Sequence, residues 1–423
     1  MAVLLLLCWY LGLPALLIFD YLNNAPFFTG WDVIPYLWSI SLYFWMLGNV
    51  ILGSKVPLFQ KLLPYDKRIK FHILASLGII LGFTIHFLSK IITGEEMDIL
   101  AWILLLLVSA LFLISAFWVK IPLLSWYRII LIKIIKTSPD TIYDPTRILH
   151  GIFFPLAAGI MFFHVQESGI EAQGSWISSY GYLGAFITAA AIYTLSMIRK
   201  VLRVKAVLVG ITERQGVSIL KVRPVKPINY RAGQFAFLSF PGIPGLGRSH
   251  PFSYLSSPET ETSRIPTIWF AVKDSGDFTG LIKNLKPGSR VTIDGSYGDF
   301  RPRDKDLTCL IGTGIGAVPV LSLLGDKGFQ NADTFAILGC DGKEDLPWVE
   351  DLHPPLQNPR IRVLEYKKTG QLVDQEELQK LPGNIKMYKF YLCCSPGVRK
   401  NIINHLRTMG VPMKNIIFEN FAF

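Results

Sequence analysis

Charge is what this sequence has least of, and it is missing unevenly. Of 423 residues, 17 % are Asp, Glu, Lys or Arg, while 51 % are hydrophobic and 13 % aromatic. A soluble chain carries about a quarter charged residues. Residues 1 to 200 hold several long apolar runs with few charges, whereas residues 203 to 423 have an ordinary soluble composition. A uniformly soluble protein is thereby excluded, and a membrane half followed by a soluble half is expected. Cysteine is scarce too: five, at 8, 309, 340, 393 and 394, with no framework of paired spacings and four of them in the soluble half. That excludes a secreted disulfide scaffold and fits a reducing cytoplasm. A basic stripe interleaved with aromatics is absent. The net charge of +11 sits largely beside the apolar runs, so membrane lipid is an expected partner and nucleic acid is not.

What is present begins with apolar segments. A spanning helix needs about 20 apolar residues, and six such runs fall at roughly 2–20, 34–53, 69–91, 99–119, 148–167 and 178–198. The first has no basic start and no clear small-residue cleavage site, so a helix is expected there rather than a signal peptide. Positive charge orients the set. The connection 54–71 carries Lys55, Lys61, Lys67, Arg68 and Lys70, and the connection 120–147 carries Lys120, Arg128, Lys133, Lys136 and Arg147. The sixth run is followed by "MIRKVLRVK". Connections 21–33 and 168–177 have no Lys or Arg, and 90–98 has only Lys90. The alternation implies a multi-pass cell-membrane protein with both termini and the whole soluble half in the cytoplasm.

Two of the runs hold histidines. "KFHILASLGIILGFTIHFLSK" contains His72 and His86, 14 positions apart, and "ILHGIFFPLAAGIMFFHVQ" contains His150 and His164 at the same spacing. Fourteen residues are four turns less about 40°, a rise of about 21 Å, so each pair shares one helix face at two depths. Both runs go from cytoplasm outward. Side by side they bring His72 level with His150 and His86 level with His164, two imidazoles per level. An iron porphyrin is an apolar disc suited to a helix-bundle core and takes imidazole as an axial ligand. Two bis-histidine b-type haems are the expectation. The rival is four polar residues satisfied by neighbouring helices; zinc lacks ligands, since each level offers two. Lys90 lies one turn beyond His86 on the same face. It is placed to pair with a haem propionate or to stabilise negative charge on an acceptor, or else it only snorkels to the interface.

In the soluble half, residues 204 to about 300 alternate like strands with glycine and proline punctuation, which reads as a small antiparallel barrel. "SHPFSYLSSP" places His250, Pro251, Phe252 and Ser253 together: a cation-capable ring, an aromatic plate and a hydroxyl, as a flavin requires, or a plain strand and turn. "VKDSGDFTGLIKNL" carries Lys273, Gly276 and Thr279 before a short helical run, a setting for a pyrophosphate or only a helix cap. "LTCLIGTGIGAVPVLSLL" is an apolar strand, a glycine turn (Gly312, Thr313, Gly314, Gly316, then Pro319) and an apolar helix. With further strands at "TFAILGC", "IRVLEY" and "KFYLCCS" it reads as a parallel α/β nucleotide module.

These motifs together resemble a minimal, prokaryotic-type NADPH oxidase of the ferric reductase / NADPH oxidase superfamily, over nearly the whole chain. His250-Pro251-Phe252-Ser253 is similar to the family's flavin motif His-Pro-Phe-Thr, and Gly276 to Thr279 to its flavin-phosphate motif. Gly312 to Pro319 is similar to its nicotinamide-dinucleotide loop, and Cys394-Ser395-Pro396 to its Cys-Gly-Pro motif. The ending "FENFAF" is similar to the acidic-plus-aromatic terminus, with Glu419 and Phe421 in the matching places. The resemblance implies a membrane α-helical bundle of six helices plus a cytoplasmic module similar to ferredoxin–NADP reductase, built from an antiparallel β-barrel and an α/β nucleotide-binding domain. The expected domains are 1–203, 204–303 and 304–423. It also implies FAD as cofactor, a hydride from NADPH or NADH, and electrons passed singly through the two haems to an acceptor on the outer face. Oxygen, giving superoxide, is the first acceptor expected; the alternatives are a ferric chelate, or a membrane or periplasmic redox partner.

The departures are Ser253 for Thr, Ser395 for Gly, and two residues after Phe421, which make Phe423 a rival for the aromatic that stacks on the flavin. No calcium-binding loop precedes the first run and no long cytoplasmic insertion is visible, so control by calcium or by an obligatory protein partner is not expected. The choice between nicotinamides stays open: Asp341 suits a free ribose hydroxyl, and Lys343, Lys367 and Lys368 suit a 2′-phosphate.

Overall fold

The computed structural model describes residues 2–24, 33–54, 56, 65–94, 96–116, 129–130, 133, 139–168, 175–214, 216–258, 266–298, 300–302, 306–326, 334–340, 360–366 and 373–418. They fall into two compact units, Met1–Ile198 and Arg199–Phe423.

Among the described residues, the first unit has six helices long and apolar enough to cross a membrane: α1 (Leu4–Asn24), α2 (Ile34–Gly53), α3 (Tyr65–Thr93), α4 (Ile99–Ala116), α5 (Pro139–Glu167) and α6 (Trp176–Val201). They coincide with the expected runs, except that α3 and α5 start several residues earlier. Hydropathy sees only the apolar part of a helix, while backbone hydrogen bonding continues through polar ends that lipid need not cover. The helix most enclosed by the others is α2, with Tyr43 and Phe44 fully buried. Gly48 lets α1 approach it: an added Cβ would sit 2.7 Å from the Tyr10 ring.

Several polar groups inside this unit are tied across helices, as an unpaired one in hydrocarbon costs several kcal/mol. The Trp9 and Trp45 indoles donate to the Phe44 and Tyr10 carbonyls at 2.8 Å, and the Tyr43 hydroxyl donates to Tyr182 O at 2.8 Å. Asp20, near the end of α1, accepts from Ser175 N, Ser175 Oγ and Ser178 Oγ at 2.9, 2.6 and 2.5 Å, so α1 caps the start of α6. Pro155 lies inside α5 and has no N–H to offer the carbonyl of residue 151. The Tyr193 hydroxyl from α6 donates to that Gly151 carbonyl at 2.9 Å, next in chain to His150.

The second unit opens with β1 (Val204–Arg214), β2 (Val217–Pro224), β3 (Phe235–Ser239), β4 (His250–Ser253) and β5 (Ile268–Lys273). A short helix α7 (Asp277–Ile282) and β6 (Arg290–Tyr297) follow. The six strands pair antiparallel in the order β4-β3-β6-β1-β2-β5. A bridge between Tyr254 and Phe270 joins the two edges, closing a barrel around Leu208, Leu220, Leu238, Phe240 and Phe270.

Next come β7 (Thr308–Thr313), a 3-10 turn (Gly314–Gly316), α8 (Ala317–Leu324), β8 (Thr334–Cys340) and β9 (Ile361–Glu365). Then follow α9 (Gln375–Gln379), β10 (Lys389–Cys393), α10 (Pro396–Thr408) and β11 (Ile416–Phe418). The sheet is parallel, in the order β11-β10-β7-β8-β9. The chain steps outward from β7 to β9 and then returns to the other side of β7. The crevice between β7 and β10 is therefore the topological switch point, where open α/β sheets take ligands at the carboxyl ends of strands. The barrel and this sheet share one apolar cluster, which runs from Val217 and Phe300 to Leu310, Ala317 and Tyr391.

Candidate functional site

In the helical unit, α3 and α5 bring the four histidines together in the two expected pairs. The rings of His72 and His150 have centroids 6.3 Å apart. Two imidazoles that bind one metal from opposite sides, each nitrogen about 2 Å from it, hold their centroids about 6 Å apart. Phe154 stacks on His150 at 5.8 Å and 7°, and Ser115 Oγ lies 3.2 Å from His150 Nδ1. The Nδ1 of His72 is buried without a hydrogen-bond partner among the described residues.

Farther along the same two helices, His86 and His164 line a single cavity of about 220 Å3 with Tyr36, Phe83, Met161 and Lys90. His86 Nδ1 is 3.0 Å from Pro35 O, and His164 Nδ1 is 3.0 Å from Asp98 Oδ2. A carbonyl and a carboxylate only accept, so both Nδ1 atoms donate. In the neutral ring this tautomer leaves Nε2 with a lone pair, the form that binds a metal. Lys90 lies with Nζ 4.3 Å over the Tyr36 ring. Among the described residues no cluster of three or more His, Cys, Asp or Glu is placed to hold a metal ion.

Pro35, Asp98, Ser115 and Phe154 are not among the residues that the sequence motifs single out. Asp98 had a signal, because it immediately precedes the apolar run of α4 and caps it, its Oδ1 accepting from Ala101 N at 2.6 Å. Nothing in the linear pattern tied it to a histidine 66 residues away.

In the second unit, β4 carries His250, Pro251, Phe252 and Ser253, all half-buried. Phe278 of α7 lies against them, its ring 3.9 Å from that of His250 and 6.1 Å from that of Phe252. The two motifs thus meet through Phe278, the one large apolar residue of Gly276 to Thr279. The Thr279 hydroxyl accepts from Ser275 N at 2.9 Å and donates to Gly276 O at 3.0 Å, so it shapes the turn. A Cβ at Gly276 would meet nothing within 4 Å. Lys273 ends β5 with its side chain exposed.

The glycine turn after β7 divides its labour. A Cβ at Gly312 would sit 2.8 Å from Ala317 Cα, and one at Gly316 2.0 Å from Cys393 O, so these two serve the packing of turn, helix and β10. Gly314 has φ +55 and open space around it; it gives the turn its left-handed residue and a bare face. Pro319 lies in the first turn of α8, where a missing N–H costs nothing. Cys394, Ser395 and Pro396 lead from β10 into α10, with Ser395 at the N-cap and Pro396 next. Cys394 Sγ is 3.8 Å from Ile311 O. Burial pushes its thiol up to about 11, against the opposing pull of Thr313 and the Arg399 charge. That direction favours the neutral thiol, the less nucleophilic form, at physiological pH. Glu419, Phe421, Phe423, Asp341, Lys343, Lys367 and Lys368 lie outside the described residues.

Residues 201–300 match the family model of an FAD-binding domain. The chain is 28 % identical over 166 residues to the F subunit of the Na(+)-translocating NADH-quinone reductase of Idiomarina loihiensis, covering 35 % of this chain and 41 % of that protein. It is 27 % identical over 125 residues to a probable dihydroorotate dehydrogenase B (NAD(+)) electron transfer subunit of Methanocaldococcus jannaschii, covering 30 % and 43 %. The chain thus spans less than half the length of these curated relatives. Among solved structures, phthalate dioxygenase reductase overlaps 52 % of this chain and 69 % of its own, at 15 % identity and a TM-score of 0.42. The overlap with a ferredoxin NADP+ reductase from Neisseria gonorrhoeae is 52 % and 98 %, at 20 % identity and 0.41.

Proposed function

We propose that the chain is a transmembrane oxidoreductase that takes electrons from cytoplasmic NAD(P)H and delivers them to an acceptor on the outer face, with oxygen the first acceptor and superoxide its product. The observation that carries the proposal is the pairing of four histidines at two levels of one helix bundle, 6.3 Å between rings at the first and a shared cavity at the second. FAD, when bound, would supply the conversion of a hydride into single electrons, and two b-type haems would supply the route across the membrane.

The residues present fit these groups. His72 with His150 would hold the inner haem, and His86 with His164 the outer one. Pro35 O and Asp98 hold the outer pair in the ligating tautomer. Two nitrogens per level are too few for a bare ion and suit a metal whose remaining positions are filled by its own macrocycle. His250, Phe252 and Ser253, with Phe278, Lys273 and the bare backbone at Gly276, would hold the flavin. Gly314 and the neutral Cys394 face the switch point, where the nicotinamide nucleotide would sit. Phe421, with Phe423 as its rival, would be the aromatic that stacks on the flavin, and Glu419 the acidic residue of that terminus. Lys90, lining the outer cavity, would stabilise negative charge on the acceptor.

A second reading rests on the curated relatives. One is the F subunit of an NADH-quinone reductase and the other an electron transfer subunit, which supports delivery to a quinone or a second protein instead of oxygen. Cytochrome c reduction by the purified protein with NADPH or NADH separates the two. Reduction abolished by superoxide dismutase is the expected result. Reduction that ignores the dismutase points to direct transfer to an outer acceptor such as a ferric chelate, and none without an added partner to the relay.

A further inference from the structure

The two histidine levels differ in what stands behind the ligands. At the His72–His150 level a neutral hydroxyl, that of Ser115, lies 3.2 Å from His150 Nδ1. At the His86–His164 level, one ring donates to a neutral carbonyl and the other to a carboxylate, Asp98 Oδ2 at 3.0 Å. Asp98 is held in place from its other oxygen, which caps α4 through Ala101 N. It is therefore fixed by the backbone of one helix and directed at a ring on another.

Building on the haem reading above, we propose that Asp98 is a positioning residue for the outer haem, orienting His164 and enriching it in electron density so that the ferric state at this level is favoured over that at the other. An anionic partner on the distal nitrogen raises the basicity of a ligating imidazole more than a hydroxyl or a carbonyl does. A more basic ligand stabilises the more positive iron. The electron at the exit level is then held less tightly and leaves more readily, while the step into that level from the other becomes less favourable by the same amount. The bland account of the same contacts is that Asp98 only caps α4 and makes an incidental hydrogen bond to His164.

Asp98→Asn and Asp98→Ala separate the two accounts. Asn remains a good N-cap, whereas Ala does not; neither carries the charge. The readout is anaerobic redox titration of the haem absorption bands in the full-length protein in nanodiscs, with haem content measured in the same samples. Two one-electron waves are expected in the wild type. In Asp98→Asn one wave is expected to move upward, by about a tenfold change in the ferric/ferrous equilibrium, or about 59 mV for one electron, while the other stays. Loss of one haem from Asp98→Asn with helicity intact supports the proposal equally, since a cap-only role predicts retention. Both waves unmoved and both haems retained in Asp98→Asn, whether or not Asp98→Ala loses haem, would overturn the proposal. A wild-type protein without two haems would instead remove the haem reading itself.

Discussion

The two units build their candidate sites from different material. In the helical unit every contact that matters is a side chain: four imidazoles, with Asp98, Ser115 and Phe154 behind them and a proline carbonyl as the one exception. In the sheet unit the nucleotide crevice is largely bare backbone, with Gly314 open and Gly312 and Gly316 pressed against neighbouring chain. The reason is solvent. A transmembrane helix has spent its backbone groups on itself and can offer a ligand only side chains. A strand end at the edge of a sheet still has N–H groups to offer, and a residue without a side chain exposes them best. A helical site is therefore lost by truncating a side chain, and a sheet site by adding one.

The largest effect that would sharpen this contrast is expected from His86→Ala. On the proposed function it should remove one of two haems and abolish electron export while the flavin is still reduced by NAD(P)H. Haem-to-protein ratio by pyridine haemochrome, with anaerobic flavin spectra, reads both; two haems retained with an unchanged bis-histidine spectrum would break the side-chain account. Lys90→Met comes next. Reoxidation by oxygen should slow by about tenfold to a hundredfold, the range for losing a charge-stabilising donor, with anaerobic reduction and haem content intact. A wild-type rate would leave Lys90 with only its place over Tyr36.

On the sheet side the damage comes from addition. Gly316→Ala puts a Cβ 2.0 Å from the Cys393 carbonyl, and β10 must shift. A cost of about 3 kcal/mol is expected from overpacking, seen as a lower thermal midpoint and early flavin release. Gly314→Ala meets no atom but has φ +55, a left-handed strain of about 1–2 kcal/mol. It should weaken nicotinamide-nucleotide binding with flavin content unchanged. Equal losses of stability from the two substitutions would erase the division between packing glycine and open glycine.

The smallest effect concerns Cys394, the one side chain singled out at the crevice. Its thiol is raised to about 11 from an ordinary 9.0. The folded state thus holds the proton more tightly, and the associated stability is complete below about pH 9 and declines as pH rises toward 11. Cys394→Ser should flatten the thermal midpoint over that window. Labelling of wild-type Cys394 by iodoacetamide at neutral pH should be at least about tenfold slower than in the denatured chain; rapid labelling would mean an activated thiolate.

Much of this was legible in the linear sequence because it depends on period and composition. The six runs became α1 to α6, since lipid demands a long apolar stretch for each crossing. The 14-residue histidine spacing set two levels before any packing was known, because helical rise and turn are constants. The strand–glycine–helix pattern set β7, its turn and α8 for the same kind of reason. Tertiary structure decided what distant residues do to one another. It brought Asp98 to His164 and Ser115 to His150, laid Phe278 against His250, and set Tyr193 on the carbonyl that Pro155 leaves without a donor. Each of these is a single contact between residues 28 to 66 positions apart. A local repeat determines which face a residue occupies, and only the packing of one element on another determines what that face meets.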